Sequence, residues 1–94
     1  MGVHSRGKDR YRVAVIRVSG NWRPRHWDDL PRAGRVVSVS DSPCTRAYAE
    51  GCVHQFNTES LERGRHEWAV ILDPGSACAP GDRCERLSAL FGVR

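Results

Sequence analysis

From Gly34 to Leu72 the spacing of hydrophobic positions changes twice, from every second residue, to every fourth, to a continuous run. In Gly34-Arg-Val-Val-Ser-Val-Ser-Asp41, Val37 and Val39 share one face and Ser38 and Ser40 the other. That alternation predicts a strand with one buried face. Asp41-Ser42-Pro43 then reads as a helix start: an Asp or Ser oxygen can accept from a free first-turn N–H, and Pro43 suits the first helical position. Cys44, Tyr48, Cys52 and Phe56 follow at intervals of four, widened by Ala49 and Val53, as expected for one buried helix face. Gly51 within this stretch costs roughly 1 kcal/mol against Ala. The helix is predicted to end within Asn57–Gly64.

Glu67-Trp-Ala-Val-Ile-Leu-Asp73 is apolar on both faces, and Pro74 and Gly75 stop it. Two-sided burial predicts a central parallel strand, with Val70, Ile71 and Leu72 as its most buried run. Strand, helix and strand in one sheet would form a right-handed β-α-β crossover. Upstream, Tyr11–Gly20 places Val13 and Val15 on one face and Ala14, Ile16 and Val18 on the other, a further strand in or beside the middle of the sheet. Downstream, Asp82-Arg-Cys-Glu85 has capping-box spacing, Cys84, Leu87, Leu90 and Phe91 form an apolar stripe, and Gly92 suits a helix C-terminus. The expected fold is therefore a small α/β domain of order β-β-α-β-α. It would have a roughly three-stranded sheet, the right-handed crossover and a C-terminal helix. Residues 1–10 read as a disordered basic tail and residues 11–94 as a single domain.

Length adds that 94 residues make one domain with a modest core. No apolar run is long enough to span a membrane, and the charged N-terminus has no apolar segment directly behind it, so neither membrane span nor signal peptide is expected. The expected location is the cytoplasm, with cysteines reduced. Charge is uneven. Residues 1–34 hold eight Lys or Arg against three Asp, net +5, and residues 35–94 hold seven Arg against eight acids, net −1. Fourteen of the fifteen cations are Arg, which a GC-rich genome produces as readily as a nucleic-acid surface does.

The basic excess directs attention to residues 21–34, which break regular structure at Pro24, Pro31 and Gly34 and allow one short helical turn at most, near His26–Leu30. Trp22, Arg23, Arg25, Trp27 and Arg32 interleave aromatic and cationic groups there, and form the candidate partner-binding surface. Trp and Arg dominate protein-interface hot spots. The same pair of residue types can stack on bases and neutralise phosphates, which makes nucleic acid the alternative partner. Asp28-Asp29 would repel phosphate, and as adjacent acids they diverge, which suits a solvated turn or helix start better than acid–base catalysis. A third reading is structural: Trp22, Trp27 and Leu30 fold back as a cover over a sheet face that two helices leave bare.

A second candidate follows from the predicted crossover. Open parallel sheets bind ligands beyond the C-terminal ends of their strands, here Asp41, Ser42 and Asp73. No Gly-rich phosphate motif accompanies them, and both Asp side chains oppose an anion. Ser42 or Cys44 with His54 or His66 could form a nucleophile–base pair, but no spacing supports one, so no catalytic residue is assigned. The four cysteines give no zinc pattern. Cys44 and Cys52, if on one helix, lie about 12 Å apart along its axis, too far for one ion. Cys44, Cys52 and Cys84 read instead as small buried hydrophobes, with a metal site and a Cys78–Cys84 disulfide as the alternatives. Neither a metal nor a cofactor is expected. The function expected is non-catalytic association with a protein partner or a second copy. Nucleic-acid binding is the second expectation, and an enzyme or ligand binder at the strand edge the third.

Overall fold

The computed structural model describes residues 10–72 and 78–85. In chain order they form β1 (Arg12–Arg17), β2 (Ala33–Val39), α1 (Arg46–Arg63), β3 (Glu67–Leu72) and the short β4 (Arg83–Glu85). Hydrogen bonding orders the sheet β3-β1-β2-β4, with every neighbouring pair antiparallel. The expected parallel crossover is thereby corrected. β1 inserts between β2 and β3, so these two strands are not hydrogen-bonded to each other. The two-sided apolar pattern of β3 does not place it centrally either, for β3 lies at an edge of the sheet.

Its burial has another cause. Asn57 and Ser60 of α1 bond to the β3 backbone, so the helix covers the edge that β1 leaves open. Trp68, Ala69, Val70 and Leu72 are buried, whereas Ile71 is only half-buried, which corrects the expected run. The main core gathers Ala14, Ile16, Val18, Val36, Trp68, Val70 and Leu72 on one face, with Trp22, Leu30 and Leu61 packed against it. Each fully buried large aliphatic side chain here contributes about 1.5–3 kcal/mol.

The register explains why simple alternation failed in β2. Ile16 opposes Val36 and Val15 opposes Ser38, so Val37 is an extra residue at a bulge. Val36 and the half-buried Val39 therefore face the core, three residues apart, and Val37 is 42% exposed. Gly34 is required beside this pairing. A Cβ there would lie 2.9 Å from Ile16 Cδ1 and 3.1 Å from the Arg17 carbonyl oxygen.

The helix begins later than the Asp41-Ser42-Pro43 pattern predicts. Ser40 and Cys44 are still bound to the N-terminal end of β1: Ser40 Oγ accepts from Val13 N, and Cys44 exchanges two backbone hydrogen bonds with Tyr11. The backbone is thus committed to extended pairing through Cys44. Thr45 becomes the cap, its hydroxyl accepting from Tyr48 N at 3.1 Å. The buried stripe shifts accordingly to Ala49, Val53, Asn57 and Ser60, while Tyr48 is 66% exposed and Cys52 and Phe56 are half-buried. Gly64 ends the helix in the left-handed region at φ 66°, where a non-glycine residue is strained.

The expected C-terminal helix start is also corrected. Asp82 bonds backward, its carboxylate accepting from Ala79 N in a turn, and Arg83–Glu85 then pair with Ala33–Arg35 of β2. A backbone enlisted as an edge strand cannot begin a helix at the same residues. The rest of that predicted helix, the tail before Arg10, the Asp73–Gly75 stop and the Cys84 side chain lie outside the described residues.

Candidate functional site

The Trp/Arg-rich segment runs between β1 and β2 as a loop fixed at several points. Val18 N donates to the His66 carbonyl, keeping the chain beside β3 as it leaves the sheet. Ser19 then closes a turn, with its carbonyl accepting from Trp22 N and its hydroxyl from Asn21 N. Trp22 packs edge-on against Trp68, ring centroids 5.1 Å apart. Such aromatic pairs add about 0.5–1.5 kcal/mol beyond their burial.

Asp29 organises the next stretch. Its Oδ2 accepts from the amides of Arg25 at 2.7 Å and His26 at 3.1 Å, and its own carbonyl accepts from the Trp68 indole N–H at 2.7 Å. Burial pushes the Asp29 carboxyl up, but the two amides and the charges of His26 and Arg25 outweigh it and hold the group below its ordinary value. The acidic pair thus divides its roles: Asp29 builds the turn, and Asp28 is exposed to solvent.

Asn57 joins loop, helix and strand. It is fully buried, donating Nδ2 to the Trp27 carbonyl at 2.8 Å and to the Ala69 carbonyl at 2.9 Å, and accepting from Ala69 N at 2.7 Å. Its amide behaves like one more residue of the β ladder, satisfying both outward groups of Ala69. Ser60 adds a bond to the Glu67 carbonyl. Buried backbone groups require such partners. Sequence reasoning missed both residues. The available signal was the spacing of Asn57 and Ser60 from Val53, which continues an apolar helix face with polar groups.

Of the five candidate partner-binding residues, Trp22 and Trp27 are half-buried, whereas Arg23, Arg25 and Arg32 are exposed. Arg23 Nη1 donates to the Gly20 carbonyl at 2.6 Å. The Trp27 ring meets the His54 imidazole edge-on at 4.8 Å. The loop therefore covers the core with Trp22 and Leu30 and presents arginines outward.

A cleft of about 230 Å³ opens between this loop, the start of α1 and β3. Val53, Leu30 and Ala69 supply apolar walls, and Asp28, Arg46 and Glu50 supply charge. Arg46 is paired with Glu50 at 3.2 Å and lies over the Tyr11 ring.

The strand-edge candidate is not assembled as expected. Asp41 and Ser42 lie in an exposed connection ahead of Thr45 and do not cap the helix, while Asp73 is outside the described residues. With the sheet antiparallel, no parallel-strand crevice collects them. Cys44 precedes the helix that holds Cys52, so the axial-separation argument does not apply to that pair. Among the described residues, no group of three or more His, Cys, Asp or Glu side chains converges as a metal site would require, and no helix is long and apolar enough to cross a membrane. Comparison with protein-family models, curated proteins and solved structures finds no match for this chain.

Proposed function

We propose that this protein is a non-catalytic association module that recognises a protein partner, or a second copy of itself, through the loop between β1 and β2. The observation that carries the reading is the fixation of that loop. Asp29, Asn57 and Trp68 hold its backbone by hydrogen bonds, while Arg23, Arg25 and Arg32 project into solvent. A surface ordered before binding loses less entropy on association, and Arg is favoured at interfaces. Residence in the cytoplasm belongs to the same proposal.

Nucleic-acid binding is the weaker alternative. Unpaired bases need open aromatic faces, and both loop tryptophans are half-buried, with Trp22 engaged by Trp68 and Trp27 by His54. The test begins with solution mass by light scattering, followed by affinity isolation and reconstitution of any complex from purified components. Association retained after nuclease treatment and lost in an Arg23→Ala/Arg25→Ala/Arg32→Ala variant is the expected result. Release by nuclease, or a complex indifferent to the three substitutions, overturns the reading.

A further inference from the structure

The cover that α1 gives the β3 edge stops at Ala69. In an antiparallel ladder, the backbone groups of every second residue turn to the same side of the strand. Glu67, Ala69 and Ile71 therefore turn theirs away from β1, and Val13, opposite Ile71, bonds instead to Ser40 on its β2 side. Ser60 takes the Glu67 carbonyl, and Asn57 takes both groups of Ala69. One helical turn earlier the buried residue of α1 is Val53, which has no polar group to offer. Among the described residues, the outward N–H and C=O of Ile71 have no hydrogen-bond partner.

Ile71 is half-buried and lines the cleft between the loop and α1, beside Leu30, Val53 and Val70. An unpaired N–H and C=O at a sheet edge invites pairing with another strand. The charges around it have a sign. Glu50 is matched by Arg46, and the Asp29 carboxylate is turned onto the Arg25 and His26 amides. Asp28 is exposed and makes no hydrogen bond or ion pair with the described residues. The cleft thus presents an unmatched carboxylate, although the chain as a whole is +4.

We propose that this cleft takes an extended basic segment of a partner protein, which pairs its backbone with Ile71 and sets a Lys or Arg against Asp28. The proposal rests on the association reading and adds the place and chemistry of a contact. An added strand gains affinity from main-chain hydrogen bonds and specificity from its alternate side chains. Here its backbone would do at Ile71 what the Asn57 amide does at Ala69, with an apolar side chain against Leu30 and Val53. Arg46 does not oppose the incoming cation, because Glu50 offsets its charge and the Tyr11 ring lies under it. A nucleic acid has no peptide backbone to pair with Ile71, and its phosphates would meet Asp28 with like charge.

The probe is a fluorescein-labelled Thr-Lys-Val-Lys-Val-Thr peptide, followed by anisotropy at physiological salt and by hydrogen exchange at the Ile71 amide. In the free protein the Ile71 N–H should exchange much faster than the Ala69 N–H, and the peptide should slow it. Two versions of the peptide, N-methylated on alternate residues, separate backbone pairing from diffuse attraction. Only one set of N–H groups faces β3, so one version should lose about fivefold or more in affinity and the other less than about twofold. Asp28→Asn should weaken binding about two- to fivefold, while Asp41→Asn, which removes an exposed carboxylate outside the cleft, should leave it unchanged. Equal losses from the two methylated versions, or from the two protein variants, overturn the proposal. So does equal binding of the same peptide with Glu in place of Lys. Ile71 protected as well as Ala69 in the free protein would mean a closed edge, and protection that grows with protein concentration would give the edge to a second copy; either result overturns the partner segment. A peptide that does not bind the wild-type protein sinks this inference alone, since the loop association has its own arginine variant.

Discussion

Replacing Asn57 by Ala should be among the most damaging single changes in this protein, although the residue is polar and lies on a helix. The side chain is fully buried and makes three hydrogen bonds, two to Ala69 and one to the Trp27 carbonyl. Truncation leaves the Ala69 N–H, the Ala69 carbonyl and the Trp27 carbonyl without their partner. Each unsatisfied buried group costs about 1–3 kcal/mol. Allowing for partial relief by entering water, the expected loss is about 3 kcal/mol or more, a large part of the roughly 5–15 kcal/mol that holds a domain of ordinary stability. Urea unfolding followed by circular dichroism measures it, and hydrogen exchange at the Ala69 amide reports the site directly. Asn57→Asp provides the signed control. At neutral pH a buried carboxylate would face two carbonyl oxygens, so this variant should be less stable than Asn57→Ala. Folding then favours the protonated form and raises the carboxyl pKa, so stability should recover as pH falls through that raised value. A loss below about 1 kcal/mol for Asn57→Ala would refute the claim that this amide closes the sheet edge.

Other perturbations test the corrected pattern. Leu72→Ala should cost about 2–5 kcal/mol in the same unfolding assay and Ile71→Ala clearly less, since only Leu72 is fully buried; equal losses would contradict the strand's facing. Gly64→Ala should cost about 1–2 kcal/mol by thermal unfolding, because a Cβ is strained at φ 66° although open space surrounds it. The depressed Asp29 carboxyl should stabilise the loop above the ordinary carboxylate range, with the contribution lost as pH falls through the lower folded value. The Trp68 indole NMR resonance should record that acid step, and the step should be missing in Asp29→Asn. Native mass spectrometry after growth in zinc-supplemented medium should show no tightly held zinc, and one ion per chain would overturn the reading of the cysteines as small apolar side chains.

Local periodicity carried much of the chain's architecture. β-branched and apolar runs located β1, β2 and β3. A four-residue rhythm located the helix, and the stretch around Gly64 marked where it stops. The interleaved Trp and Arg residues likewise marked the loop on which the candidate site is built. What each element does was decided by partners distant in sequence. β1 separates β2 from β3 because pairing is a contest among strands, and no pattern within one strand records its outcome. Tyr11 and Val13 hold Cys44 and Ser40 in extended structure and delay the helix to Thr45, a constraint invisible in Asp41-Ser42-Pro43. The bulge at Val37 turns Val36 inward, since one extra residue reverses an alternation that is otherwise regular. Asn57 reads as a polar interruption of a helix face until Ala69 is set beside it. Register likewise sets Arg17 opposite Arg35, and Arg35 opposite Arg83, across β1, β2 and β4. Composition supplies the arginines, but tertiary pairing alone sets them on one face.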